Sequence, residues 1–321
     1  MAKSSVFVPR GSQSFRRWRA ASAAVALAFA MSATLVGAAS APSAGAQTSL
    51  SPSLRTPHAT QDVVGAVGQD VTLDGEQVHT VVQTQRWYGG GFWMPPAGKA
   101  VVTVLIHIRG LQKTSYNGLY YSVRNPAGTS YGRLYVGSRD PSLGSSNDLM
   151  AGQVAQGWLS FLVPVSSLND LTLVYHMHSG FGSTLTVPLG TIPDSPRTSV
   201  GRAAVLLSEQ AVTATRVERP ARNGNYAPKT GYKFVTVYVV IRALKSTKTG
   251  QFTAFTPTGK TVGGVLLGHR SPMFPELRGV AKGTTVQGWV TLMVPQNQTH
   301  GLTLVYHLSG YRDTLLIPIP G

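Results

Sequence analysis

Two short phrases occur twice in this sequence at nearly the same spacing. QGWLSFLVP begins at Gln156 and QGWVTLMVP begins at Gln287, 131 positions later. LTLVYH begins at Leu171 and returns unchanged at Leu302. This period is too long for a solenoid repeat and indicates a duplicated domain. The offset stays between 130 and 133 in four further pairs of segments: GEQVHTVVQT (from Gly75) with SEQAVTATRV (Ser208), GKAVVTVLIHIRG (Gly98) with GYKFVTVYVVIRA (Gly231), NPAGTSYGRLYVGSRDP (Asn125) with TPTGKTVGGVLLGHRSP (Thr256), and STLTVPL (Ser183) with DTLLIPI (Asp313).

The repeated segments have the two-residue period of half-buried β-strands. Apolar side chains fall at every second position from Val102 to Ile108, and the second copy repeats this pattern from Val235 to Ile241. Turn-forming Asn, Pro and Gly residues separate the segments, and no segment after the leader has a convincing helical apolar period. We therefore predict an all-β chain made of two tandem antiparallel β-sandwiches.

The first 46 residues have the three-part pattern of a secretory signal peptide. Basic residues without any acid come first, an alanine-rich apolar run follows from Ala20, and Ala44-Gly45-Ala46 resembles a cleavage site. We predict export and cleavage, so that no transmembrane segment remains. An uncleaved membrane anchor is the alternative, because the apolar run is nearly long enough to span a bilayer. Arg16-Arg17 leaves the choice between general secretion and twin-arginine export open.

Composition sets the predicted domain boundaries. A flexible tail (47–60) follows the signal peptide (1–46) and leads to the first β-sandwich (61–190). A stiff linker rich in Pro and Ser (191–203) connects it to the second β-sandwich (204–321). The sequence contains no cysteine, which excludes disulfides, thiolate metal sites, a cysteine nucleophile and a lipid-anchored cysteine.

The order of the repeated motifs resembles a known family. Each copy has a Gly-Lys or Gly-Tyr-Lys strand opener with VTV, a Pro-x-Gly turn, Gly-Trp-x-x-x-x-Val-Pro and a closing Leu-Thr-Leu-Val-Tyr strand. This order is similar to the bacterial domain of unknown function 4352 family, in the immunoglobulin-like superfamily of immunoprotective extracellular antigens. The resemblance implies two tandem immunoglobulin-like β-sandwiches that are secreted or attached to the cell surface. It implies no catalytic residues.

Positive charge is concentrated in the second copy. Residues 60–190 contain seven Lys/Arg and seven Asp/Glu, whereas residues 200–321 contain fourteen Lys/Arg and four Asp/Glu. This surface would attract anionic cell-wall polymers or lipid head groups. Nucleic acid is not favoured, because the cations are not interleaved with aromatic residues. The alternative is a basic surface that only keeps the domain soluble. The predicted ligand-binding cations are Arg216, Arg219, Arg222, Lys229 and Lys233.

The first copy has an aromatic loop that the second copy lacks. In RWYGGGFWMPP, from Arg86, four aromatic residues flank three glycines. Large rings on a flexible loop can stack on a sugar or grip a peptide, which predicts a protein or glycan ligand. Alternatively, the rings cover the edge of the sandwich or pack on the other domain. The predicted ligand-binding aromatics are Trp87, Tyr88, Phe92 and Trp93.

Histidines provide the one candidate metal site. His176 and His178 are placed at i and i+2 on one strand face, and His107 lies on another outward strand face. Imidazoles suit Cu or Zn. Exposed strand histidines are more often plain polar surface, and the second copy keeps only one of the pair. We therefore expect no cofactor and retain Cu or Zn as the alternative.

The sequence carries no recognisable catalytic set. It has no H-E-x-x-H, G-x-S-x-G or S-x-x-K motif and only twelve Asp/Glu in total. We predict a secreted, non-enzymatic binding protein of the cell envelope or extracellular space, with a basic second domain for anionic partners. The alternatives are a secreted metal-binding redox protein or hydrolase that uses the histidines, and a structural spacer.

Overall fold

A computed structural model describes residues 61–89, 93–180, 182–265, 268–310 and 312–321. The predicted signal peptide (1–46), the predicted tail (47–60) and Phe92 lie outside the described residues. We call residues 61–190 the first half and residues 204–321 the second half. Among the described residues the helices are four short 3₁₀ turns: Gly118–Tyr120, Val165–Ser167, Met177–Gly180 and Gln296–Gln298.

Strands of the first half form two main sheets. One sheet has the order β2-β3-β4-β9, the other has the order β1-β11-β10-β6-β7, and β5 pairs with β8. All these pairings are antiparallel except that of β1 with β11. The strands are β1 (Asp62–Val64), β2 (Asp70–Leu73), β3 (Gln77–Trp87), β4 (Lys99–Gly110), β5 (Thr114–Asn117), β6 (Tyr121–Arg124), β7 (Ser130–Gly132), β8 (Ser146–Leu149), β9 (Val154–Pro164), β10 (Thr172–His176) and β11 (Thr184–Pro188).

Strands of the second half repeat this arrangement. The sheets have the orders β12-β13-β14-β19 and β17-β16-β20-β21, and β15 pairs with β18. The strands are β12 (Ala204–Leu206), β13 (Gln210–Glu218), β14 (Tyr232–Ala243), β15 (Thr247–Lys248), β16 (Gln251–Phe255), β17 (Thr261–Gly263), β18 (Gly279–Val280), β19 (Thr285–Pro295), β20 (Thr303–His307) and β21 (Thr314–Pro318).

The two halves agree strand for strand, from β2 with β12 to β11 with β21. A register irregularity lies between Val81 and Gln83 in β3, and another lies between Ala214 and Arg216 in β13. The parallel partner of β11 in the first half is β1, and a parallel bridge from Arg197 to β21 takes the same place in the second half. The predicted all-β fold with antiparallel sheets is confirmed.

Each half has its own apolar core. The side chains from Val102 to Ile108 that were predicted to face inward are at most 1% exposed, and those from Val235 to Ile241 are fully buried. Leu173 in β10 and Leu304 in β20 supply the facing layer in the two cores. Burying a large apolar side chain contributes about 1.5–3 kcal/mol, so packing can hold these sheets together without disulfides.

A segment of loop runs along the free edge of the β2-β3-β4-β9 sheet. Residues 133–143 run alongside β9 and end with a hydrogen bond from the amide of Leu143 to the carbonyl of Trp158, at 3.0 Å. In the second half the same bond, also at 3.0 Å, joins the end of residues 268–274 to the carbonyl of Trp289. This segment covers part of the outer face of each sheet, which explains why both tryptophans are buried.

The repeated Gln-Gly-Trp phrase has a steric cause. A Cβ at Gly157 would lie 2.3 Å from the amide nitrogen of Leu143, and a Cβ at Gly288 would lie 2.6 Å from the backbone of Phe274. A side chain at either position would push the edge segment off the sheet. Both copies therefore need glycine before the tryptophan for packing, independently of any chemistry.

Apolar contacts join the two halves. Tyr88, directly after β3, is 7% exposed and clusters with Val305 and Leu316 on the outer face of the second half's β17-β16-β20-β21 sheet. Phe255 lies edge-on to the Tyr88 ring, with centroids 5.4 Å apart. The Tyr88 hydroxyl donates a hydrogen bond to Asp194 of the linker at 2.6 Å. Burial and this hydrogen bond raise the pKa of Tyr88, so the hydroxyl stays protonated at neutral pH.

A buried histidine also connects the halves. His307 Nδ1 lies 2.9 Å from the carbonyl oxygen of Gly89, and its Nε2 lies 2.6 Å from Thr253 Oγ1. Because a carbonyl can only accept, Nδ1 carries the proton and Nε2 accepts from the threonine hydroxyl. Burial lowers the pKa of His307 to about 4, so the ring is neutral at physiological pH.

Arg139 makes the third connection. Its Nε donates to the carbonyl of Arg312 at 2.8 Å, and its Nη2 lies 3.7 Å from Asp313 Oδ1. Its Nη1 donates to Gln85 Oε1, and the guanidinium lies 3.7 Å from the centroid of the Trp158 ring. Burial lowers the pKa of Arg139 to about 10, so the side chain remains charged and depends on Asp313 for compensation.

The linker is hydrogen-bonded to both halves. The carbonyl of Pro193 accepts from the amide of Arg86 at 2.7 Å, and Ser195 Oγ lies 2.6 Å from Thr314 Oγ1. The amide of Thr198 donates to the carbonyl of Leu316 at 2.9 Å. These bonds place the linker between the end of β3 and β21. Both halves lie in one compact unit.

No helix among the described residues is long and apolar enough to cross a membrane.

Candidate binding surfaces

The predicted aromatic residues do not form an exposed stacking surface. Trp87 is the last residue of β3 and is 1% exposed, and Tyr88 is buried against the second half. The ring of Trp93 lies over Gly137, where a Cβ would approach it to 2.2 Å. The interpretation of these three rings as an open contact loop is therefore corrected. They pack on the protein, because the chain leaves β3 directly into the contact between the halves.

The loop between β13 and β14 gathers predicted cations at one end of the second half. Arg216, on the last part of β13, is exposed, and so are Arg222, Lys229 and Lys233. The Nζ of Lys229 lies 6.0 Å from the centroid of the Tyr232 ring, which holds the ammonium near the start of β14. The structure thus brings four of the five predicted cations to the surface in one region. We call this region the 216–233 end.

Arg219 has a different environment from the other four cations. It is half-buried, and its guanidinium donates to the carbonyl of Pro320 at 2.5 Å and to the carbonyl of Thr299 at 3.5 Å. Both acceptors belong to the end of the same sandwich. This side chain therefore fastens the C-terminal segment to the loop, and it is less available to a ligand than its neighbours.

Arg270 joins the 216–233 end, although the sequence pattern did not select it. Its guanidinium lies 4.1 Å from the centroid of the Trp289 ring and forms an ion pair with Glu218. Glu218 also lies 3.8 Å from Arg216. Arg270 is distant from the other cations along the chain, so proximity in sequence could not find it. The sequence could have indicated Arg270 only through the repeat, because Arg270 occupies the position equivalent to Arg139.

A second group of cations lies at the opposite end of the second half. The two groups are separated by the length of β14, twelve residues or about 40 Å at roughly 3.3 Å per residue. The exposed cations of this group are Arg242, Lys245, Lys248, Arg278 and Lys282. The sequence pattern did not select this second group as a binding surface.

The structure places the three predicted histidines in different settings. β10 ends at His176, which hydrogen-bonds Thr184 Oγ1 at 3.3 Å. His178 belongs to the following 3₁₀ turn with a φ of +47°, so the two rings do not extend from one strand face. His178 Nε2 lies 3.3 Å from Glu76, a contact that the sequence pattern did not reveal. His107 is on β4, in the other sheet. Within the described residues no three His, Asp or Glu side chains are grouped as metal ligands.

Comparisons with known proteins found solved structures of low similarity and no function. No family model matches the chain, and no curated protein sequence matches it. An uncharacterized β-sandwich protein from Clostridium difficile is 12% identical, with 42% of this chain and 98% of that chain covered and a TM-score of 0.30. The yjhA protein from Bacillus subtilis is 18% identical, with 39% and 98% covered and a TM-score of 0.30. The secreted protein MPT63 from Mycobacterium tuberculosis is 11% identical, with 40% and 99% covered and a TM-score of 0.32.

Proposed function

We propose that this protein is an exported, non-enzymatic binding protein of the cell envelope or extracellular space, and that its second half attaches to anionic cell-wall polymers. The observation that carries the proposal is the uncompensated charge of that half. Residues 200–321 hold fourteen Lys/Arg and four Asp/Glu. Three of the four acids already face arginines, because Glu209, Glu218 and Asp313 pair with Arg312, Arg270 and Arg139 respectively.

The placement of the free cations favours a long ligand over a small one. The 216–233 end and the opposite end both expose ammonium and guanidinium groups, while the described strands between them carry few charges. A polymer with phosphate or carboxylate groups can contact both ends at once, and each contact raises the effective concentration of the next. A point-like anion could use only one end.

Two further proposals concern origin and family. The leader pattern in residues 1–46 supports export. The repeated motifs, together with the same strand order in both halves, support a tandem duplication of one domain. The same motif order supports membership of the domain of unknown function 4352 family, as the sequence resemblance implies.

Charge reversal at one end, matched by reversal at the other, tests the attachment. One triple variant carries Arg222→Glu, Lys229→Glu and Lys233→Glu. A second triple variant, at the opposite end, carries Lys245→Glu, Lys248→Glu and Lys282→Glu, with the same change in net charge. All six side chains are exposed, so both variants should fold. Binding would be measured by cosedimentation with cell-wall fragments, before and after chemical removal of their phosphate polymers.

We expect the first triple variant to bind roughly ten- to hundredfold more weakly, since each cation near an anionic surface contributes about 1 kcal/mol. The wild-type protein should release as salt is raised and should ignore fragments that lack the polymer. The second triple variant should lose a comparable amount, because the polymer contacts both ends. Undiminished binding by both variants would contradict attachment through the second half and would favour a structural spacer.

A further inference from the structure

A cavity of about 250 Å³ lies between the two halves. Its walls come from the end of β3, the start of β4, the linker and the second half's outer sheet. Apolar side chains such as Phe255 and Pro257 line one side, and Ala100 and Val165 line the other. Small-molecule sites often form at such contacts between sandwiches or domains, because two independent surfaces can enclose one ligand.

Three cations reach this cavity, and their partners differ. Arg197 is already neutralised, because its Nη2 lies 2.5 Å from Asp194 Oδ2. Arg86 and Lys99 form no ion pair within the described part of the chain. The guanidinium of Arg86 is held 4.9 Å from the centroid of the Tyr88 ring, an arrangement that positions the charge without cancelling it. The cavity therefore has a net positive lining.

An unpaired hydrogen-bond donor lies in the same wall. Trp87 is 1% exposed and lines the cavity, and its Nε1 has no hydrogen-bond partner among the described residues. The indole N–H can only donate, so it requires an acceptor. A buried donor without a partner costs about 1–3 kcal/mol, and such groups are uncommon in folded proteins.

We propose that this cavity binds a small organic carboxylate with an apolar body. Arg86 and Lys99 pair with the carboxylate, the Trp87 ring forms part of the wall beside it, and the side chains around Phe255 enclose the apolar part. A neutral ligand would leave the two charges uncompensated, and a highly charged one would be excluded by the apolar walls. This site is independent of the attachment of the second half to polymers.

Nuclear magnetic resonance of the tryptophan indole groups provides the test. Benzoate would be added to ¹⁵N-labelled protein at constant ionic strength, with chloride as the balancing anion. Benzamide, which has the same shape without the charge, is the control ligand. We expect benzoate to shift the indole N–H signal of Trp87, which is assigned by its absence in Trp87→Phe. Benzamide and chloride should leave that signal in place.

Arg86→Gln should weaken benzoate binding at least tenfold. It keeps the backbone bonds of residue 86 to Pro193 and Ser195, so it should fold. Arg124→Gln, an exposed arginine on the first half, is the matched control and should bind normally. The site would be refuted by no shift with benzoate, by equal shifts with benzamide, or by unchanged affinity in Arg86→Gln. The Arg222→Glu, Lys229→Glu, Lys233→Glu variant should retain the benzoate response, which separates this site from polymer attachment.

Discussion

The two halves place an arginine on a tryptophan in the same way but neutralise it differently. In the first half Arg139 lies on Trp158 beside Gln85, and the nearest carboxylate is Asp313 of the second half. In the second half Arg270 lies on Trp289 and pairs with Glu218, which occupies the position of Gln85. The charge of Arg270 is thus compensated within its own sandwich. The difference between Gln85 and Glu218 decides whether the arginine needs a carboxylate from the other half.

The outer face of the other sheet also differs between the two halves. The second half presents Phe255 and Leu316, and the first half has Arg124 and Thr186 at the equivalent positions. Asp313 is likewise replaced by Ser183. The first half therefore lacks the apolar patch and the carboxylate that would receive another copy. The docking contact therefore uses a different face in each half.

Removing the two arginines separately should show the largest contrast. Arg139→Gln leaves the carboxylate of Asp313 buried without its cation and should lower the free energy of unfolding by about 3–5 kcal/mol. Arg270→Gln breaks a pair in which both side chains are about one third exposed and should lower it by under about 1 kcal/mol. Chemical denaturation measures both.

The pH dependence of Arg139→Gln provides an internal check. Burial already raises the pKa of Asp313, and loss of the guanidinium removes the charge that opposes this rise. The carboxyl group should therefore protonate more readily in the variant, and the destabilisation should shrink as the pH falls. Equal losses in Arg139→Gln and Arg270→Gln would refute the contrast between the two halves.

The aromatic anchor should show the next largest effect. Tyr88→Ala installs the residue that the second half has at the equivalent position, Ala221. We expect a loss of at least about 3 kcal/mol, because the change removes a buried aromatic ring together with its hydrogen bond to Asp194. The reciprocal change Ala221→Tyr is the matched control. It adds a ring at an exposed position and should leave the midpoint of unfolding nearly unchanged.

Acid should weaken the docked state through His307. Its pKa is about 4 in the folded protein and about 6.5 when unfolded. Between these values the unfolded chain binds the proton and the folded chain does not, so stability falls as pH falls from about 6.5 to about 4, by at most about 3 kcal/mol. The stability of His307→Asn should therefore depend less on pH in this range than the stability of the wild-type protein. His79, whose pKa burial lowers to about 3, should supply most of the remaining pH dependence.

His176, the equivalent residue in the first LTLVYH, is the matched control for His307. Its ring is half-exposed and forms a hydrogen bond with Thr184 Oγ1 of the neighbouring strand in its own sheet. His176→Asn should therefore leave the slope between pH 6.5 and pH 4 almost intact. If both histidine variants changed the acid dependence equally, the bond from His307 to Gly89 could not be the cause.

Repetition made the fold predictable, whereas function depends on residues that differ between copies. The alternation around Val102 and Val235 predicted the core strands because burial enforces a period of two. The exposure of Trp87 and Tyr88 was predicted wrongly, because an aromatic loop has the same sequence pattern whether solvent or another domain covers it. Substitutions on outward positions, such as Phe255 for Arg124, were the overlooked signal. An apolar residue that replaces a charged one on the outer face of a repeat marks a docking surface.

Moving the carboxylate from one half to the other should have the smallest effect. Asp313→Ser alone leaves Arg139 without a charged partner and should destabilise the protein. Adding Gln85→Glu recreates the second half's arrangement within the first half, where position 85 already accepts a hydrogen bond from Arg139. The double variant should therefore lie within about 1 kcal/mol of wild type, and the two changes should be strongly non-additive in a double-mutant cycle. If the two changes lowered the free energy of unfolding additively, a carboxylate at position 85 could not replace Asp313 as the partner of Arg139.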